Sequence, residues 1–456
     1  MSKKENLLVT QIAEAPARAL EEAVVSSEEA LARFNRPLRD AESYWSAVGP
    51  GLTTGAAGDD PSGIATYSQA GARFGFDLIW LAPFSLPLMT AITDMCSRIG
   101  MATGRGLAGN IRILYKPWVI YFLSAIIFLT NSFNIGANLG AMANATRLIL
   151  PGFSAVTLLL VFSIVSLGLQ VFVTYSRYAK FLKYLSMILL LYIATALTLD
   201  NIPWRDIWSH AFWPSFTFGK ETFVMITALL GTTISPYMFF WQTSQEVEER
   251  RMLGKFRIKL RHQVLRKKEV RRMRFDVVVG MFFSSMVMFF IILTAGAVLY
   301  PAGIQIETAE QAALALKPLA GNQAFILFAL GIIGTGLLSI PILAGSAAYS
   351  LAETFRWSAG FNRGLKHAHA FYGVIIIAMG IGLIMNFLGL NTIKMLIWSA
   401  VLNGLVAPII LYFIVKISGN GEVMGNWKNG PVLRWLGKVT VAIMVLAALG
   451  ALAALI

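Results

Sequence analysis

Gly58-Asp59-Asp60-Pro61-Ser62-Gly63 stands in the middle of an otherwise apolar stretch, residues 44–70. Two adjacent carboxylates at membrane depth would each cost several kcal/mol against lipid, so at least one has to face a polar cavity. Pro61 removes a backbone donor, and the flanking glycines let the chain leave helical geometry, so the helix is expected to break where the charge sits. Carbonyls freed by a break are tolerated in a membrane only where they line a cavity or meet an ion. The hexapeptide therefore predicts a broken membrane helix around a cation site, and the remaining sequence has to supply walls and a second break.

The composition agrees with a membrane setting. Of 456 residues, 56% are hydrophobic and only 14% charged, and the mean hydropathy is +0.65. That is too apolar for an ordinary soluble chain of this length, so an all-α polytopic membrane protein is expected. The single cysteine, Cys96, excludes an internal disulfide and any site built from several thiolates. A net charge of +14 suggests nucleic acid at first sight. The cations concentrate in alternate loops, however, and that is the positive-inside pattern of a membrane protein, with a bilayer and not a nucleic acid as partner.

Residues 1–43 are polar, carry Glu21, Glu22, Glu28 and Glu29, and contain no signal-peptide core. They read as a cytosolic tail. Eleven stretches long enough to span follow, near 44–70, 76–99, 117–147, 153–174, 179–199, 221–245, 275–300, 323–352, 367–390, 393–416 and 433–456. Residues 44–456 thus form one transmembrane domain. Arg98, Arg105, Arg112 and Lys116 follow the second span, and Arg177, Lys180 and Lys183 lie between the fourth and fifth. Twelve Lys and Arg fall in a polar insertion, 246–274, read as a cytosolic loop; Arg356, Arg363 and Lys366 follow the eighth span. The opposite loops hold Asp77, Asp200, Asp206, Glu221, Glu307 and Glu310. This alternation predicts a multi-pass plasma-membrane protein with its amino terminus cytoplasmic and its carboxyl terminus outside. The insertion is either a lipid-headgroup patch or a plain topology determinant.

The sixth span contains Gly231-Thr232-Thr233-Ile234-Ser235-Pro236-Tyr237, where glycine, hydroxyls and proline again interrupt an apolar run. Taken alone, Pro236 could be a kink whose freed carbonyls are met by hydroxyls. Five helices separate it from the first break, and five is odd. Two five-helix units in series, about 44–199 and 221–416, must insert with opposite orientation and bring their first helices together as a broken pair. This is the sequence signature of an inverted-repeat transporter.

Gly49-Pro50-Gly51, Asp60-Pro61-Ser62-Gly63, Gln69-Ala70-Gly71-Ala72 with Phe74-Gly75, and Arg98-Ile99-Gly100-Met101-Ala102-Thr103-Gly104 resemble the Nramp family of divalent metal transporters. The resemblance runs from the first span through the tenth. It implies a LeuT-type fold, two inverted five-helix repeats plus an eleventh helix, with a divalent cation between the breaks. The departures matter as much. Where the family's first-helix motif reads Asp-Pro-Gly-Asn, the asparagine position here is Gly63. Where its sixth-helix motif reads Ala-x-x-Met-Pro-His, this chain has Thr232 for the alanine, Ser235 for the methionine and Tyr237 for the histidine. A second family histidine falls at Gln242, and the third helix has Asn134-Ile135-Gly136-Ala137 in place of an Asp-Leu-Ala-Glu stretch used for proton movement.

A thioether favours transition metals, so its replacement by Ser235 removes a soft ligand. Asp60, Thr232, Ser235 and the freed carbonyls make an oxygen-only site, with Gly63 expected to leave room where a side chain was lost. Mg2+ retains several waters and takes one or two carboxylates, which suits such a cavity; Mn2+ accepts the same ligands. The pattern is similar to the bacterial Nramp-related magnesium transporters. Asp59 is a further candidate ligand, although neighbouring helical residues point about 100° apart. Asp94 and Asn403 could line the path or bond helix to helix, and Asn134, Tyr237 and Gln242 are further candidates for the metal or its path. His210, His262, His367 and His369 read as structural or solvated. With the third-helix acids and both sixth-helix histidines absent, no titratable chain is left for protons, so uncoupled transport is expected. No cofactor, enzyme chemistry or obligate protein partner is inferred. The other readings are a proton-coupled Mn2+ or Fe2+ importer, a divalent-cation channel, and an organic-solute symporter.

Overall fold

The computed structural model describes residues 49–173, 190–199, 202–214, 219–254 and 265–455. The tail at 1–43, the first half of the fifth span at 179–189 and the centre of the basic insertion at 255–264, with His262, lie outside the described residues.

The secondary structure is helical throughout. The first span is split into α1 (Pro50–Gly58) and α2 (Pro61–Phe74). Then come α3 (Leu81–Thr103), the short α4 (Leu107–Leu114), α5 (Pro117–Ile149) and α6 (Ala155–Phe172). The fifth span is represented by α7 (Leu190–Thr198), followed by a short α8 (Trp204–Phe212). The sixth span is split into α9 (Lys220–Thr233) and α10 (Pro236–Met252). Long helices complete the chain: α11 (Lys267–Val298), α12 (Ala324–Phe355), α13 (His369–Met385), α14 (Thr392–Gly419) and α15 (Pro431–Leu455).

Eight helical stretches among the described residues are long and apolar enough to cross a membrane, with α9 and α10 counted as one. The first span is not among them because its break leaves two short pieces, α7 is only part of its span, and α3, long enough at 23 residues, is less apolar because it carries Asp94 and Arg98. Each of the eleven expected spans therefore has a helical counterpart. The 246–274 insertion differs from the loop expected for it. Helix α10 runs to Met252 and α11 begins at Lys267, and Glu246, Glu248 and Arg250 are buried. Charged residues extend these two helices past the apolar region because the buried charges find partners, Arg250 in Glu269 at 3.6 Å, Glu248 in Asn362 at 2.9 Å and Glu246 in Gln242 at 3.0 Å.

The broken helices lie at the centre. In the most apolar window of α9–α10, 89% of residues are buried, against 28% in α6 and α15, which present apolar side chains outward as lipid-facing helices do. Helix α11 packs along α1, α2 and α3; α9 packs on α14 and α15; α12 packs on α5 and α10. Very close approach sets the α1–α11 contact. A Cβ on Gly55 would collide with the Gly280 backbone, and one on Gly280 with that of Gly51. Small residues are what allow such backbone-to-backbone packing in a membrane.

The ends of the spans gather in two sets. At one end Glu353 accepts from the Gly106 and Gly109 N–H groups at 2.7 and 2.8 Å, and Arg98 donates to the Trp427 carbonyl at 3.1 Å and to Asn429 at 2.7 Å. Asn362 donates to Glu248 there at 2.9 Å. At the other end Arg73 pairs with Glu221, His210 lies 3.8 Å from Asp77, and Asn391 donates to the Glu307 carbonyl at 3.3 Å. The basic loops thus meet at one end and the acidic loops at the other, as alternate crossing requires.

Candidate metal site

Both breaks are written in the same grammar, a polar residue followed by proline at the first helical position, where the missing N–H costs nothing. They use the polar residue in opposite directions. Asp60 caps forward: its Oδ1 accepts from the Gly63 N–H at 2.8 Å and the Ser62 hydroxyl at 2.6 Å. Ser235 caps backward, donating to the Gly231 carbonyl at 2.5 Å and the Thr232 carbonyl at 2.9 Å, which α9 leaves open at its end.

The two breaks also serve each other. The Thr232 hydroxyl donates to the Gly58 carbonyl at 3.2 Å, and the Tyr237 hydroxyl to the Ala57 carbonyl at 3.0 Å. Helix amino termini and helix carbonyl ends thus converge around Asp60, an arrangement that offers a cation oxygen atoms on one side and fixes a carboxylate on the other. Asp59, Asp60, Ser62, Thr232, Ser235 and Tyr237 are each at most 1% exposed.

The neighbouring carboxylates are handed to different partners. Asp60 Oδ2 accepts from Asn138 Nδ2 of α5 at 3.0 Å. Asp59 Oδ1 accepts from Ser284 of α11 at 3.0 Å and from Tyr67 at 3.4 Å, and its Oδ2 has no hydrogen-bond partner. Asn134 adjoins the Asp60 carboxylate, and Ser399 of α14 donates to its Oδ1 at 3.2 Å. The open space expected at Gly63 is absent. A Cβ there would lie 2.8 Å from the Gly58 carbonyl oxygen and 3.1 Å from Thr232 Oγ1, because the half-helices close up against α2. The N–H of Gly63 donates to Asp60, so this residue helps to hold the carboxylate.

Three sequence candidates stand apart from the breaks. Gln242 accepts from Thr54 at 2.5 Å and donates to Ser97 at 2.9 Å and Glu246 at 3.0 Å, in a buried network toward the basic end. Asp94 lies in a buried ion pair with Arg98 at 3.0 Å and also meets Arg274 at 3.1 Å, so it bonds helix to helix. Asn403 is buried on α14, next to the point where Gly404 meets Thr227 of α9.

Asn138, Ser284 and Ser339 were not anticipated. Asn138 could have been found: Asn131, Asn134 and Asn138 recur at helical spacing along one side of an apolar span. The serines carry no such signal, since serine is common where membrane helices pack.

Among the described residues no group of three or more His, Cys, Asp and Glu could hold a metal ion. A cation at the breaks would complete its shell with hydroxyl, amide, carbonyl and water oxygens. One thioether is close by: Met238 Sδ would lie 3.4 Å from a Cβ on Gly58. From the acidic end, a cavity of about 400 Å3 lined by Asn144, Arg147, Glu307, Glu310 and Asn391 reaches α2 at Ala65, half a turn beyond Gly63.

Two interrupted helices paired at a buried polar centre, within a bundle of membrane-length helices, define the class of broken-helix membrane transporters. Residues 51–454 match the family described as Nramp, natural resistance-associated macrophage protein-like, and the chain belongs to that family. Among curated relatives it is similar to the divalent metal cation transporter MntH of Aeromonas hydrophila, with 25% identity over 87% of this chain and 93% of the relative. To MntH of Yersinia pestis the identity is 27% over 90% and 95%. These relatives are transporters, and the chain stands with them and not with enzymes. Among solved structures it resembles the Eremococcus coleocola manganese transporter, at TM-score 0.74 and 15% identity over 90% of this chain and 86% of that one. It also resembles MhsT in complex with L-phenylalanine, at TM-score 0.56 and 15% identity over 87% and 98%. The fold is accordingly LeuT-type, two inverted five-helix repeats plus an eleventh helix.

Proposed function

We propose that this protein carries divalent metal ions across the plasma membrane by alternating access, with Mg2+ as its main cargo and Mn2+ also carried. In this reading the amino terminus is cytoplasmic, the carboxyl terminus extracellular, and the ion is bound at the two breaks by Asp60, Thr232, Ser235 and the adjoining carbonyls, with Asp59 and Tyr237 beside it. The observation that carries the reading is the donor set: one capped carboxylate among neutral oxygens, no thioether at 235 and no imidazole at 237 or 242. Hard oxygen ligands favour Mg2+ over softer ions.

Transport without protons is part of the proposal. Asn134 and Ala137 occupy the third-helix positions where titratable groups would be needed, and Asn134 is held by Ser399. The driving force suffices, because a divalent cation crossing 100 mV gains about 4.6 kcal/mol, more than a thousandfold in concentration.

A second reading, a proton-coupled manganese importer, is favoured by two observations. The relatives are named divalent metal cation and manganese transporters, and Met238 places a thioether beside Gly58. Purified protein titrated calorimetrically with Mg2+, Mn2+ and Ca2+, beside Asp60→Ala, separates the readings. Mg2+ binding that disappears in the variant is the expected outcome. Binding of Mn2+ alone, or liposomes whose lumen acidifies in step with metal entry, would establish the manganese importer instead. Flux that never saturates would indicate a channel.

A further inference from the structure

We propose that Asn138 is a ligand of the transported ion, its amide oxygen supplying a neutral donor from α5 to the site at the two breaks. The inference rests on the reading of that site as the cargo site.

The orientation of this amide is forced by its neighbours. Nδ2 lies 3.0 Å from Asp60 Oδ2 and 3.2 Å from Ser339 Oγ. An ionised carboxylate only accepts, and the Ser339 hydroxyl directs its own hydrogen to the Gly336 carbonyl at 3.3 Å. Both neighbours need a donor, so the nitrogen must face them and the oxygen must face away. Asn138 is fully buried, and its Oδ1 has no hydrogen-bond partner. An acceptor left open in a buried interior is costly unless something electropositive meets it. Here it belongs to the same amide whose nitrogen grips the Asp60 carboxylate, which puts the open oxygen one amide away from that carboxylate.

The chemistry suits the cargo. Amide carbonyl oxygens are hard ligands of the kind Mg2+ and Mn2+ accept. The position also answers a question raised by Gly63, where the half-helices leave no space for a side chain. An amide in the site has to come from another helix, and α5 is the helix that packs there.

The test is calorimetric titration of the full-length protein with MgCl2 and MnCl2 for the wild type, Asp60→Ala, Asn138→Ala and Asn138→Asp, with melting temperatures measured without metal. As a ligand, Asn138 makes the alanine variant bind about tenfold or more weakly, within the range seen when groups around a metal are removed. Asn138→Asp keeps an oxygen and loses the N–H, so it should bind at least as tightly as the wild type. If Asn138 only steadies Asp60 through that N–H, the aspartate variant binds as poorly as alanine or worse, because two carboxylates then repel. That result overturns the proposal, as does wild-type affinity in Asn138→Ala. Should the alanine variant fail to fold, the aspartate variant decides alone, at or above wild type in support and below it against. Metal binding retained in Asp60→Ala would instead mean that the cargo site itself is misplaced.

Discussion

Asp60 has two tasks, and the structure lets them be separated. Its Oδ1 caps α2 through the Gly63 N–H while Oδ2 faces Asn138. Asparagine caps a helix about as well as aspartate, whereas alanine loses roughly 1 kcal/mol at such a position. Asp60→Asn is therefore expected to melt close to the wild type and Asp60→Ala lower, while both lose Mg2+ binding. Melting curves beside titrations check this; an asparagine variant that still binds Mg2+ as the wild type does would show that the charge is not what holds the ion. The same residue marks how far single positions could be read. A buried carboxylate before proline announces the break and is what the proposed cation site rests on. Gly63, next to it, was read as vacant space, because a missing side chain looks like room until the neighbouring half-helix is seen to fill it.

At the scale of elements, α1 is tied to α11 more tightly than a nine-residue helix could manage unaided. The Asp276 carboxylate accepts from the Gly51 N–H at 2.6 Å and the Leu52 N–H at 3.3 Å, at the end of the helix where its dipole favours negative charge. Gly55 and Gly280 then let the two backbones touch. Hydrogen bonds to a charged acceptor contribute about 1.5–3 kcal/mol, so Asp276→Ala should speed amide exchange at residues 51–54 about tenfold or more. Hydrogen–deuterium exchange followed by mass spectrometry measures it, and unchanged protection there would show that the glycine contact alone holds α1. Neither partner is conspicuous in the sequence. Asp276 lies at the start of the seventh apolar stretch, 275–300, and its role emerges only when α11 is laid along α1.

The whole molecule joins two ends of opposite character to one buried centre. Acidic residues and the cavity reaching Ala65 lie at one end; the basic loops, with Glu248 and Glu353 held among them, lie at the other. In the proposed orientation the acidic end faces outward and the inside-negative potential draws the cation through. The single cysteine, Cys96, is fully buried, so cysteines placed on the surface can report sidedness without removing it. Asp206→Cys should react with a membrane-impermeant maleimide on intact cells, and Arg363→Cys only after the cells are opened. The reverse pattern would invert the proposed topology.

The sequence by itself determined the membrane setting, the eleven spans and the two breaks, because apolar length, alternate basic loops and Pro with Gly at membrane depth are local properties of the chain. The pairing of the breaks was legible too, since an odd number of helices between similar motifs forces opposite insertion. Only the tertiary structure decided which atoms surround the carboxylates. Asn138, Ser284 and Ser339 reach the site from three other helices, and Gln242 and Asp94 turn out to serve separate networks. Such placements depend on helix rotation and on packing at backbone contact distance, which no local pattern encodes. The Gly58 to Gly63 stretch pointed to the break and to the proposed cation site; the folded bundle determines which side chains surround it.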